Sequence, residues 1–244
     1  KDDYNLVNQS LKNRLITTGE YVKKFEHEIK KFVNAKYALS CSSGTAALHL
    51  AIKSINLKKN DIVIIPIINF VAVSNILNEY GLKVFYADVD PINGQLTPDK
   101  LLECIKKNKI KNLKVFFTMY LGGSPYNIKK FYKIKKKFNS YMIEDACHSL
   151  GSKYKINSKA FSIGSCKHSD ISIFSFHPLK SITTGEGGAL TTNNKNLYYK
   201  AQLFRSHGIK RSKYHWSYDV VEYGLNYRLS DINCALGISQ LKKI

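Results

Sequence analysis

Three short stretches hold the residues that could do chemistry: Lys180 in "SIFSFHPLKSITTGEGGAL", Asp145 in "YMIEDACHSLG", and Ser43, Gly44 and Thr45 in "CSSGTAALHLAI". A lysine at the end of a buried-looking strand, held in a desolvated pocket, loses basicity, and its neutral amine can form a Schiff base. An aspartate that closes a hydrophobic strand is costly unless a cation meets it. A strand running into Ser-Ser-Gly-Thr at a helix start presents backbone N–H groups and hydroxyls to a phosphate. Each has an ordinary explanation when taken singly: a solvated loop lysine, a capping or salt-bridged aspartate, a helix cap supplied by Ser43. Together they offer an amine for an aldehyde, a carboxylate for a pyridine nitrogen and a cradle for a phosphate, which are the requirements of a pyridoxal phosphate site. His148, three residues beyond Asp145, could lie beside that aspartate's partner, although a lone histidine is more often structural. Glu144 is expected on the opposite face of the strand.

These residues converge only if the chain folds so that strand ends gather at one edge. From Tyr37 the sequence alternates "YALSC", a helix over about 45–55, "DIVII", a helix over 71–80, "KVFYADV", a helix over 98–107, "LKVFFTMY", a helix over 128–138 and "YMIED". Such alternation predicts an α/β fold with a mostly parallel sheet and helices on both faces. Ligands in such sheets bind at the carboxyl ends of the strands, where Asp145 and Lys180 fall. After Asp145 a polar, irregular stretch runs through His168, followed by strands in "DISIFSF" and "GGALTTN" on either side of Lys180. Helices over 194–204 and 230–243 follow, the second running to the end of the chain. No repeat, linker or low-complexity segment divides residues 1–244, which read as one domain.

At 244 residues and 44% hydrophobic content the chain can bury a substantial core. The formal charge of +20 comes from 38 basic against 18 acidic residues, but only four are arginine and the lysines are spread along the chain. That pattern disfavours specific nucleic-acid recognition and leaves a general attraction to anionic ligands. No apolar run is long enough for a membrane helix and no secretory signal segment is visible, so a cytoplasmic protein is expected. Five widely spaced cysteines without a C-x-x-C pair point to free thiols in a reducing compartment, not to a disulfide framework or a metal site.

The stretches "LITTGEYVKKFE", "SGTAALHLAI", "NFVAVSNIL", "IEDACHSLG", "SFHPLKSITTGEGGAL", "LFRSHGI" and "GLNYRLSDINCALGISQL" resemble the DegT/DnrJ/EryC1/StrS sugar-nucleotide aminotransferases, in family order and over nearly the whole chain. The segment "SCKHSDISIFSFHPLKSITTGEGGALTTNN" is most similar to the pseudaminic acid branch. The resemblance implies the large domain of a fold type I pyridoxal 5'-phosphate enzyme, with a C-terminal small domain that is absent from this chain. It implies that Lys180 carries the cofactor as a Schiff base, Asp145 pairs with the pyridinium, Phe70 stacks on the ring and His148 lies near the ring hydroxyl. Thr45, Ala46 and Ser175 would hold the phosphate, and Asn226 would reach the phosphate of a neighbouring subunit, which implies a homodimer. The implied reaction moves an amino group, with L-glutamate as donor, to C4 of a UDP-linked 4-keto-6-deoxy-N-acetylhexosamine. A GDP- or dTDP-linked sugar, or a cofactor-binding protein without activity, is the alternative.

Overall fold

The computed structural model describes residues 1–214 and 216–244. Its helices are α1 (Asp2–Leu11), α2 (Glu20–Val33), α3 (Gly44–Ile55), α4 (Val71–Glu79), α5 (Pro98–Lys107), α6 (Ile128–Phe138), α7 (Lys195–Arg205) and α8 (Asp231–Leu241). Its strands are β1 (Tyr37–Cys41), β2 (Ile62–Pro66), β3 (Lys83–Ala87), β4 (Leu113–Met119), β5 (Tyr141–Asp145), β6 (Lys153–Ile156), β7 (Lys159–Ser162), β8 (Ile171–Ser175), β9 (Gly188–Thr192), β10 (Ile209–Arg211) and β11 (Tyr218–Val220). Seven of these strands form one sheet in the order β1-β9-β8-β5-β4-β2-β3. The pairings that involve β9 are antiparallel and the others are parallel. The mostly parallel α/β fold expected from the sequence is therefore present.

Strand alternation divides the core between the two faces of the sheet. Val115, Phe117, Ile143, Ile171 and Ile173 pack with α3, α4 and α7. On the other face Ile64, Phe116 and Met142 meet α5 and α6, while Phe174 and Ala189 meet α2 and α8. A long-range contact joins the start of α8 to the start of α2. The buried carboxylate of Asp231, at the start of α8, accepts the N–H groups of Gly19 and Tyr21 at 2.8 Å each and so caps α2.

Helix α5 falls on the expected residues because Thr97 caps it, accepting the Lys100 N–H at 3.0 Å, and Pro98 occupies its first turn. Strand β3 ends at Ala87, short of the expected "KVFYADV", where the Asp88 side chain accepts the Val89 N–H at 2.9 Å and turns the chain. Helix α8 closes at Leu241, before the expected boundary. The stretch read as irregular up to His168 contains the β6–β7 hairpin. Its turn residues Asn157 and Ser158 have φ of 49° and 64°, the left-handed pair that a two-residue hairpin needs, without the glycine that usually signals it. The β10–β11 ribbon and the helices α1 and α2 also lay outside the alternating pattern from which the sheet was read.

Candidate active site

Strand β8 stops at Ser175, and the loop that follows is folded back on itself. Phe176 N–H donates to the Gly187 carbonyl at 2.8 Å, and Phe176 O accepts the Thr184 N–H at 3.0 Å and the Thr183 hydroxyl at 3.1 Å. Within this closed loop the Lys180 N–H donates to His177 O at 2.9 Å. The result is a half-buried Lys180 on the wall of a cavity of about 550 Å³ at the carboxyl ends of the strands. The same wall carries Thr45, Phe70, Asp145, His148 and Ser175. Six of the eight residues expected at the site are thus brought together from four separate stretches of the chain.

Asp145, the last residue of the central strand β5, is 3% exposed. Its Oδ1 accepts the Cys147 N–H at 3.2 Å, and no cationic side chain among the described residues forms an ion pair with it. Burial pushes its pKa up; the contact with Cys147 and the charges of His148 and Lys180 oppose that shift. His148 is pushed down, first by burial and then by Lys180, while the charge of Asp145 opposes that shift. Glu144 faces the other side of the sheet, as alternation requires, where it accepts the Tyr120 hydroxyl at 2.9 Å and the Ser172 hydroxyl.

The Ser43–Thr45 turn is both a cap and a cavity wall. Ser43 Oγ accepts the Ala46 N–H at 3.0 Å, while Ser43, Gly44 and Thr45 all face the cavity. A Cβ on Gly44 would come within 2.8 Å of the Ser175 Cβ, so the helix start and the strand end meet only because this residue is glycine. Ala46 is buried, does not line the cavity and has given its N–H to the cap, so the structure does not bring it among the cavity residues.

Asn226 is likewise outside the cavity, exposed on a segment that bridges to Ser206. That segment is nevertheless fastened to α3. The Ser42 N–H donates to Tyr227 O at 2.9 Å, and His49 Nδ1 and Nε2 lie 2.9 Å and 2.7 Å from the hydroxyls of Tyr227 and Tyr80. Cys147, His177 and Met119 also line the cavity and had no sequence signal beyond their nearness to Asp145, Lys180 and the end of β4.

Residues 1–244 match the DegT/DnrJ/EryC1/StrS aminotransferase family. The chain belongs to this family. Among its relatives is the UDP-4-amino-4,6-dideoxy-N-acetyl-beta-L-altrosamine transaminase of Campylobacter jejuni, 38% identical over 244 residues, which cover 100% of this chain and 62% of the relative. Helicobacter pylori PseC, an aminotransferase involved in the biosynthesis of pseudoaminic acid, superposes with a TM-score of 0.88 at 32% identity, over 100% of this chain and 63% of PseC. The PLP-form of the putative sugar aminotransferase Spr1654 from Streptococcus pneumoniae superposes with a TM-score of 0.87 at 25% identity, over 99% of this chain and 64% of Spr1654. The chain therefore spans about three fifths of the length of these family members.

Proposed function

We propose that residues 1–244 are the cofactor-binding large domain of a pyridoxal phosphate-dependent aminotransferase that transfers the amino group of L-glutamate to C4 of a UDP-4-keto-6-deoxy-N-acetylhexosamine. It would act as a cytoplasmic homodimer; no helix among the described residues is long and apolar enough to cross a membrane. The observation that carries the reading is the buried Asp145 carboxylate, with no ion-pair partner among the described residues, sharing a cavity with Lys180. Kinship with the altrosamine transaminase and with PseC supports the substrate class.

The cavity residues fit the cofactor. Bound there, pyridoxal phosphate supplies the electron sink needed to break a C–H bond beside nitrogen. A buried carboxylate whose pKa is pushed up by burial gains most from a cation brought to it, so Asp145 would hold the proton on the pyridine nitrogen. Lys180 Nζ would bind the aldehyde carbon and afterwards carry protons within the cavity. Thr45, Ser175 and the first turn of α3 would bind the phosphate, with Ala46 contributing through the cap it shares with Ser43. Phe70, 66% exposed at the cavity wall, would cover the ring, and His148 would lie at its hydroxyl. Asn226 would serve the neighbouring subunit's phosphate.

The test is an amino-transfer assay of the full-length protein with glutamate and a panel of UDP-, GDP- and dTDP-linked 4-keto-6-deoxy sugars, reading 2-oxoglutarate. Preference for the UDP sugar is expected. Preference for a GDP or dTDP sugar would overturn the substrate, and no turnover with any of them would overturn the activity.

A further inference from the structure

A second depression, of about 220 Å³, lies between the first turns of α2, the outer face of α7 and the segment that leads into α8. It shares no lining residue with the Lys180 cavity. Three of its residues are cationic, Lys23, Arg205 and Arg228, against a single acid, Glu26.

That acid is already engaged. Glu26 Oε1 accepts Arg205 Nη1 at 2.6 Å together with the Ser40 N–H at 3.0 Å and the Ser40 hydroxyl at 2.9 Å. Asp231, behind the same wall, is occupied by the amides at the start of α2. The side chains of Lys23 and Arg228 have no hydrogen bond or ion pair among the described residues. Arg205 Nε is buried without a hydrogen-bond partner, and a buried N–H left in that state is costly. The depression thus has two uncompensated positive charges, with neutral donors in Tyr198 and Gln202 beside them.

We propose that this depression binds a phosphate-type dianion, held by Arg228 and Lys23 beside the Arg205 guanidinium. Two surplus charges match a dianion, and the planar guanidinium fork suits phosphate oxygens. The volume is below that of pockets that enclose drug-sized ligands, so the group recognised is a phosphate or diphosphate and not a whole nucleotide. The source is free phosphate or the phosphate end of a nucleotide. This inference is independent of what the Lys180 cavity binds.

The test is calorimetric titration of the protein saturated with pyridoxal phosphate, so that the start of α3 does not compete, at fixed ionic strength. The probes are inorganic phosphate, pyrophosphate, UDP and uridine. Binding of at least one phosphate probe but not of uridine is expected, with Arg228→Gln and Lys23→Gln each weakening it about tenfold or more while unfolding temperature and cofactor absorbance stay unchanged. Phosphate binding alone assigns the free ion; tighter binding of pyrophosphate and UDP assigns a nucleotide's diphosphate. No binding by any phosphate probe, affinities unaltered in both variants, or uridine binding as tightly as UDP would overturn the proposal. If the protein does not take up pyridoxal phosphate, its absorbance reports that failure separately, and the Arg228 and Lys23 variants still decide this one.

Discussion

Glu144 and Asp145 are adjacent in β5 yet turn their carboxylates to opposite faces of the sheet, one into a closed cluster with Tyr120 and Ser172, the other into the Lys180 cavity. Burial pushes both upward from the ordinary carboxylate range. What differs is access. Glu144 meets only protein, while Asp145 can meet a ligand.

For Glu144 the consequence is a slope of stability with pH. A carboxyl whose folded pKa is raised holds its proton more tightly in the folded state, so its contribution is complete below the unfolded value and is lost as pH rises through the folded value. Glu144→Gln keeps acceptors for the Tyr120 hydroxyl and a partner for Ser172 without titrating. Thermal unfolding measured from acid to neutral pH is expected to show the wild type losing stability relative to Glu144→Gln as pH rises. Parallel curves for the two proteins would contradict this.

Asp145→Asn is expected to fold normally and to lose catalysis. The amide preserves shape and the contact with Cys147 but cannot hold a proton on a pyridine nitrogen. By analogy with other preorganised charges the loss is about 3 kcal/mol in the transition state, or roughly 10²-fold in kcat. Steady-state kinetics of the full-length protein, with cofactor content measured in parallel, check it; near-normal kcat would remove Asp145 from this role.

Reduction with borohydride in the presence of pyridoxal phosphate is expected to fix the cofactor on the peptide that contains Lys180. The closed 176–187 loop brings this lysine to the cavity wall, whereas most other lysines face solvent. Peptide mapping by mass spectrometry reads the result. A label on another lysine, or none, would defeat the assignment.

Asn226 points to a test of sharing between subunits, since it is exposed and lies outside its own chain's cavity. A mixed dimer of Lys180→Ala and Asn226→Ala subunits concentrates both changes in one composite site and leaves the other complete. Activity near half that of the wild type is expected if Asn226 acts across the interface. Two impaired sites would show that it acts within its own chain.

What the sequence made legible follows from how local each signal is. Strand β5 and its terminal Asp145, the Ser43 turn, and the Lys180 loop all lie on short apolar runs whose ends are marked by polar residues, and the strand-helix alternation gathers those ends at one edge. The β6–β7 hairpin was hidden because its turn is Asn-Ser with no glycine, and only Tyr154 of β6 is buried. The Asp231 cap on α2 and the grouping of Lys23, Arg205 and Arg228 were invisible for a different reason. They join residues on the order of two hundred positions apart, and no periodicity encodes such a meeting. The non-cavity position of Ala46 turned on which of two partners its N–H would take, a choice between Ser43 and a ligand that spacing leaves open.

The edge position of β1 has a consequence for how the chain leaves the ribosome. This strand carries the Ser43 turn at its end, but among the described residues its one neighbour within the sheet is β9, formed by residues 188–192. A nascent chain that has emerged as far as β5 can therefore assemble β2, β3, β4 and β5 around their helices while β1 has no strand to pair with and α2 still lacks the cap that Asp231 provides. Closing so long a loop is slow, and it leaves apolar surface uncovered in the interval. The N-terminal half of the binding cavity is thus synthesised early and seated late, after the strand that follows Lys180 has been made.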